Sequence, residues 1–409
     1  MSESAKRKAA GNKGTPETGR SLLGGVGLPA AAIFEAPLAH NLVWMQRFAE
    51  AHGAHLAPHG KTTMTPALFR RQLEAGAWGI TLATAPQCRA AYMHGVRRLL
   101  LANQLVGEAN MAIVAGLVEA GAEFYCVVDG EANARALGRF FAARGLALNV
   151  LIELGVPGGR TGCRTVEQVI ELAHVVDAEP ALQLAGMEGY EGVVADAAHG
   201  ADPVAAIRDY AARLIECAQR LDHDGLIGVG EPLVTASGSA WYDLIAEAFD
   251  AAELRERFTP VLRPGCYVVH DHGLYREAQR GVLARRPDLH EGLEPALEVF
   301  AQVQSLPEPG LAIVALGKRD IGYDQLPEPL RRYREGGRAD QPLAVAGWRL
   351  SRLMDQHAFI ELPSDAEDVA VGDIVAFGAS HPCLTFDKWR RLCLVDETLT
   401  VRETLATYF

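Results

Sequence analysis

Ala54-His55-Leu56-Ala57-Pro58-His59-Gly60-Lys61-Thr62-Thr63-Met64-Thr65-Pro66 is a short apolar run that breaks into a small-residue turn and then opens a helical pattern. Residues Ala54 to Pro58 read as a buried strand, and Pro66 suits the first position of a helix. Lys61 therefore lies just past the carboxyl end of a strand, where barrel enzymes carry their reactive side chains. A lysine there can form a Schiff base with an aldehyde cofactor once desolvation and cationic neighbours lower its pKa. The plain alternative is a solvated loop lysine.

Outward from this stretch the same pattern repeats. Candidate strands fall at 54–58, 78–82, 98–102, 123–128, 148–153, 181–187, 229–236 and 258–263. Helical runs such as Thr65–Ala75, Pro86–His94, Glu108–Ala120, Glu131–Ala143, Val166–Val176 and Ala205–Leu221 separate them, and a short one, Trp241–Phe249, follows the seventh strand. Eight strand–helix units in this length predict an α/β fold, a (β/α)8 TIM barrel. A doubly wound open sheet is the rival, but no GxGxxG follows the first strand. After Arg263-Pro264-Gly265 the texture changes. Tyr267-Val268-Val269, Leu293–Ser305, Leu311–Ala315, Phe359–Leu362, Ile374–Phe377 and Leu392–Val395 read as short strands between Pro- and Gly-bearing turns. The expected organisation is a tail over 1–20, a barrel over 21–265 and a mostly-β domain over 266–409. Ile321–Gln341, rich in Pro, Gly and charge, reads as a surface loop.

The bulk numbers exclude several classes. With 409 residues, 49% hydrophobic, the chain suffices for one large domain and a smaller one. A net charge of −12 gives no general attraction to nucleic acid or an anionic membrane. Seven cysteines without CxxC spacing suggest reduced thiols in a cytoplasmic protein. No apolar run is long enough to span a membrane. Ser2 to Arg20 is polar, lacks the apolar core of a secretory signal and reads as disordered.

A cofactor phosphate in such a barrel sits against the loops after strands seven and eight. Thr235-Ala236-Ser237-Gly238-Ser239 and Arg263-Pro264-Gly265-Cys266-Tyr267 occupy those places. With a lysine ending the first strand, the combination is far less accidental than either turn alone. Together with Gln72–Ala77, Leu101–Gln104 and the late His381-Pro382-Cys383, these segments resemble the fold-type III pyridoxal-phosphate enzymes, in the group of D-serine dehydratase and D-threonine aldolase. The likeness runs from about residue 25 to the C-terminus. It implies that Lys61 holds pyridoxal 5'-phosphate as a Schiff base, and that Ser237, Gly238, Gly265, Cys266 and Tyr267 line its phosphate, with Thr235 and Ser239 in the same loops. It also implies that residues near Leu28–Glu35 join the β domain, and that the protein is a homodimer.

By the same resemblance Arg160 and Tyr190 fall near the pyridine ring, and Arg263 is a second candidate for its nitrogen. His59 is either a cofactor-orienting or a packed turn histidine. His381 and Cys383, two apart, share a face if the segment is extended, and could hold one Zn²⁺. Two ligands alone do not close a tetrahedral site. D-serine dehydratases look alike here, whereas D-threonine aldolases carry an aspartate in place of the cysteine, suited to Mn²⁺ or Mg²⁺. His270-Asp271-His272 reads as a hydrogen-bonded or partly exposed strand end rather than a metal site. His357 is a possible substrate contact. The segment Gly317–Asp324 departs from the aldolase pattern and puts the substrate in question. The resemblance implies a lyase that dehydrates and deaminates a D-β-hydroxy amino acid. A D-threonine-type aldolase and a non-catalytic cofactor carrier are the alternatives.

Overall fold

Eight parallel strands and the helices that follow them form one of two units in the computed structural model, which describes residues 17–194, 202–366 and 368–409. This unit holds Val43–Lys61 and Leu68–Gly265. Its strands are β2 (His55–Leu56), β3 (Ile80–Leu82), β4 (Arg98–Gln104), β5 (Glu123–Val128), β6 (Leu148–Leu154), β7 (Leu182–Gly189), β8 (Leu233–Ala236) and β9 (Thr259–Leu262). They pair in the order β2-β9-β8-β7-β6-β5-β4-β3. A parallel bridge between His59 and Thr81 joins the two ends, so the expected barrel is closed. Ala57, Leu100, Val127, Leu151, Ala185, Leu233 and Val261 fill its interior as one buried cluster.

Local chemistry sets the boundaries. The first barrel strand is shorter than 54–58 because Pro58 has no N–H for the ladder, although Ala57 still donates to the Leu262 carbonyl at 2.9 Å. Three of the helices begin at side-chain caps. Thr84 accepts from Gln87 N–H, Thr165 from Gln168 N–H, and Asp202 from Val204 N–H with Pro203 next in line. Gly186 in β7 has φ +132°, and a Cβ there would collide with the Leu233 carbonyl, so the β7–β8 pairing needs glycine. No helix among the described residues is long and apolar enough to cross a membrane.

The other unit comprises the chain up to Leu42, Thr62–Ala67 and Cys266–Phe409. Its nine-stranded sheet contains β1 (Ala30–Phe34), β10 (Leu297–Glu308), β11 (Leu311–Val314), β12 (Glu328–Tyr333), β13 (Arg349–Leu353), β14 (Ala358–Glu361), β15 (Ile374–Gly378), β16 (Arg391–Val395) and β17 (Val401–Ala406). β1 runs antiparallel to β10 and parallel to β16. Phe300, Tyr333, Ile374, Val395 and Val401 pack with Leu22 and Leu23 in its core.

Four readings of this unit need correction. Tyr267-Val268-Val269 is not a strand: Cys266–Val268 forms a 3₁₀ turn, every member buried, and periodicity cannot tell such a run from a strand. The 321–341 stretch is not all loop. β12 lies within it, bulged at Pro329–Arg331, and its charges are satisfied by partners: Arg331 reaches Glu298 at 2.7 Å and Arg332 reaches Asp373 at 2.7 Å. His381 is extended, but Pro382 opens the short helix Pro382–Phe386, so the same-face argument for His381 and Cys383 does not apply. The tail is ordered at its end. Gly19 donates to the Val401 carbonyl and Val401 to the Arg20 carbonyl, both at 2.8 Å, while residues 1–16 lie outside the described residues.

Candidate active site

The barrel strands deliver most of the expected side chains at their carboxyl ends. Lys61 sits exposed in the one-turn helix Gly60–Thr62. A Cβ on Gly60 would lie 2.8 Å from the Phe69 ring and 2.9 Å from the Ile80 methyl, so this turn can carry only glycine at that step. His59 donates its backbone N–H to the Pro264 carbonyl at 3.3 Å, and its Nδ1 is buried with no partner. Its pKa falls well below the usual value, first through burial and then through the positive charges of Lys61, Arg263 and Arg160. The barrel mouth is electropositive at this neutral imidazole.

Arg263, at the end of β9, donates through Nη2 to Glu188 Oε1 and, at 2.7 Å, to the Gly189 carbonyl. Both charged groups are only 4% exposed. Burial pushes the Glu188 carboxyl up to about 7 in spite of the guanidinium beside it. Glu153 stands nearby, fixed by Gln104 Nε2 at 2.5 Å and Thr161 Oγ1 at 2.8 Å. The Arg160 guanidinium stacks 4.5 Å over the Tyr190 ring, so it pairs with an aromatic face instead of a barrel carboxylate.

The two loops differ in what they offer. Thr235 spends its hydroxyl on the Val261 carbonyl at 2.9 Å and ties β8 to β9, a role within the sheet. Ser237 has φ +88°, a left-handed backbone, and Gly238 follows it. Gly238 N–H donates to Glu191 Oε1 at 2.7 Å, and Gly265 N–H to Ser239 Oγ at 3.1 Å. Glu191 is fully buried, and burial raises its pKa.

The sheet unit carries a second cluster. Cys266, expected at the phosphate, aims its thiol elsewhere: its Sγ lies 3.6 Å from Cys383 Sγ and 3.9 Å from Thr62 Oγ1. Cys383 Sγ is 3.4 Å from Thr62 Oγ1 and hydrogen-bonds the His381 side chain. His381 Nδ1 is 2.7 Å from Asp324 Oδ2. The hydrogen bond to Cys383 raises the His381 pKa to about 9, with burial opposing and Asp324 adding to the rise. The bond from Cys266 pulls the Cys383 thiol well below its usual value, whereas burial pushes Cys266 up. Tyr267 is buried in the same unit.

The remaining histidines are placed without metal chemistry. Asp271 Oδ1 accepts three backbone N–H groups, from Gly273, Tyr275 and Arg276, and so caps the helix Leu274–Arg285. His270-Asp271-His272 is thus a helix entrance and not a strand end. His357 is exposed at the tip of the β13–β14 hairpin, where its carbonyl accepts from Met354 N–H at 2.8 Å.

Both implied cofactors can be tested against these residues. In the barrel mouth His59 Nδ1, Arg263 Nε, Glu188 Oε2 and Glu191 Oε2 are buried without partners, which marks a site built for a polar ligand. Three cations and a glycine-bearing loop suit a phosphorylated one, so these residues fit pyridoxal phosphate. In the sheet unit the imidazole fixed at Nδ1 leaves Nε2 to face a cation, and the sulfur supplies a soft donor. That pair fits Zn²⁺ better than Mg²⁺ or Mn²⁺. No group of three or more His, Cys, Asp or Glu among the described residues forms a closed metal site. Glu153, Glu188 and Glu191 escaped the sequence reading, though Glu188 and Glu191 bracket the end of an apolar strand in Met187-Glu188-Gly189-Tyr190-Glu191, and that placement is a usable signal.

Comparison with known proteins bears on the fold and the class of enzyme. A serine dehydratase domain model matches residues 296–395. A D-threonine aldolase of Arthrobacter sp is 24% identical over 372 residues, covering 91% of this chain and 90% of the relative. The solved D-threonine aldolase of Filomicrobium marinum superposes with a TM-score of 0.78 at 22% identity, over 96% of this chain and 97% of that one. D-threo-3-hydroxyaspartate dehydratase from Delftia sp. HT23 gives 0.75 at 22% identity, over 95% and 99%. At such identities the two structures speak for the fold alone. The expected class, a pyridoxal-phosphate-dependent lyase, stands. The alanine racemase N-terminal domain model matches residues 34–255, more than half of the sequence, and the chain belongs to that family.

Proposed function

We propose that this lyase dehydrates and deaminates a D-β-hydroxy amino acid of the D-serine or D-threonine type, giving an oxo acid and ammonia. The observation that carries the reading is the pairing of an imidazole and a thiol at His381 and Cys383, with His381 Nδ1 2.7 Å from Asp324 Oδ2. When bound, pyridoxal phosphate accepts electron density from the substrate α-carbon, and Zn²⁺ polarises the β-hydroxyl as a Lewis acid. Lys61 would hold the cofactor through Nζ, and once the substrate amine has displaced it there, the freed Nζ would accept the α-proton. Ser237, Gly238, Ser239 and Gly265 are the residues assigned to the phosphate, which would take over the Gly238 and Gly265 N–H groups from Glu191 Oε1 and Ser239 Oγ. Arg263 and Arg160 are the cations assigned to the pyridine ring. A guanidinium does not give up its proton, so one facing the ring nitrogen would leave that nitrogen unprotonated and the cofactor a weaker electron sink. Loss of the β-hydroxyl then needs assistance, which is the part given to His381 and Cys383 as holders of the metal.

A D-threonine-type aldolase is the second reading, favoured by the near full-length likeness to that enzyme. Product analysis with D-serine and D-threonine, with and without a chelator, separates the two. Pyruvate and ammonia from D-serine, lost on chelation and restored by Zn²⁺, are expected. Glycine and acetaldehyde from D-threonine, without oxo acid, would replace the dehydratase by the aldolase.

A further inference from the structure

Cys266 has no part in the proposed reaction through its side chain, yet it stands 3.6 Å from the sulfur of Cys383. Both sulfurs also lie close to Thr62 Oγ1, at 3.9 and 3.4 Å. The other five cysteines are all buried, whereas Cys383 is partly open to solvent. We propose that Cys266 and Cys383 form an oxidative modification site, a dithiol that a peroxide converts reversibly to a disulfide. Closing to bonding distance needs the sulfurs to approach by roughly 1.5 Å, within the reach of a χ1 adjustment at the partly exposed Cys383.

The two cysteines divide the labour. Cys383, with the Cys266 sulfur at 3.6 Å and the Thr62 hydroxyl at 3.4 Å, is the member of the pair that solvent reaches, so it meets the peroxide first. Its sulfur attacks one peroxide oxygen, the O–O bond breaks, hydroxide leaves and a sulfenic acid forms. The Cys266 sulfur then attacks that sulfur, the S–O bond breaks and the S–S bond forms. Two thiols lose two electrons and two protons, and hydrogen peroxide becomes two waters. A thiol reductant such as glutathione reverses the change. The site stands on the sulfur geometry and not on the proposed reaction. Its consequence for that reaction is that the disulfide withdraws the Cys383 donor.

The test treats the full chain, loaded with pyridoxal phosphate, with hydrogen peroxide and follows intact mass and mapped peptides. The expected product weighs about 2 Da less, contains a Cys266–Cys383 cross-link and reverts with dithiothreitol. In Cys266→Ser the same treatment gives addition of about 32 Da at Cys383 instead, the sulfinic acid of a thiolate with no partner to resolve it. Wild-type protein that accumulates the sulfinic acid at Cys383 with Cys266 unlinked would overturn the proposal, as would a cross-link to any other cysteine. Should the serine variant fail to fold, the wild-type peptide map decides alone.

Discussion

Replacing Glu188 by glutamine separates the charge of this side chain from its hydrogen bond. The amide oxygen can still accept from Arg263 Nη2, which also keeps the Gly189 carbonyl at 2.7 Å. What disappears is a carboxylate buried to 4% exposure, whose pKa lies near 7 instead of 4.5. That shift corresponds to roughly 3 kcal/mol against the ionised form, at 1.36 kcal/mol per unit. The folded acid has the raised pKa, so between pH 4.5 and 7 the folded chain holds a proton that the unfolded chain has lost. Stability therefore increases as pH falls through 7, and the full cost is present above it. Glutamine, which resembles the protonated acid, should stabilise the chain by up to about 3 kcal/mol at pH 8.5 and by under about 1 kcal/mol at pH 5. Glu188→Ala should instead destabilise at both, by about 3–5 kcal/mol, because it strands a buried guanidinium. Thermal unfolding of the three proteins at the two pH values reads the signs directly. A glutamine variant that melts below the parent at pH 8.5, and by more than at pH 5, would show that Arg263 holds Glu188 ionised and would refute the reasoning.

Gly60→Ala should cost about 1–3 kcal/mol by forcing Phe69 and Ile80 apart. A displacement of Lys61 by about 1 Å would lower turnover by up to about 100-fold, measured as kcat with the cofactor saturating. Lys61→Ala should abolish the Schiff-base absorbance and reduce activity by about 1,000-fold or more, read by difference spectroscopy and ammonia release. Full activity in that variant would remove Lys61 from the mechanism. Cys383→Asp exchanges a soft donor for a hard one, so metal analysis should find Zn²⁺ retention reduced and Mn²⁺ or Mg²⁺ supporting what activity remains.

The barrel was legible because its strands are buried and write themselves as apolar runs separated by helical patterns, three of them opening at a side-chain cap. Most boundaries moved by a residue or two, as at Pro58, but the strand expected at 229–236 begins only at Leu233, four residues later. The sheet unit was harder. β12 hides its strand character behind Arg331 and Arg332, whose charges are compensated by Glu298 and Asp373 from other strands, a pairing that no local window contains. Lys61 and the glycine loops stood out because their residue types are constrained at fixed offsets. Glu188, and the pairing of Cys266 with Cys383, did not, since they arise only between residues 75 and 117 apart in sequence.

The pairing of Ala32 with Cys393 sets an order of events in the life of the chain. β1 leaves the ribosome early, but its parallel partner β16 follows some 360 residues later. At about 5–20 residues per second that interval lasts roughly 20–70 s. The strands of the barrel unit are all synthesised within that window, so they can pair while Ala30-Ala31-Ala32-Ile33-Phe34 still waits with both edges unpaired. Five apolar residues in an open strand are an invitation to pair wrongly. The nascent protein is thus most exposed to aggregation, and most in need of a chaperone, at β1 and not at β16.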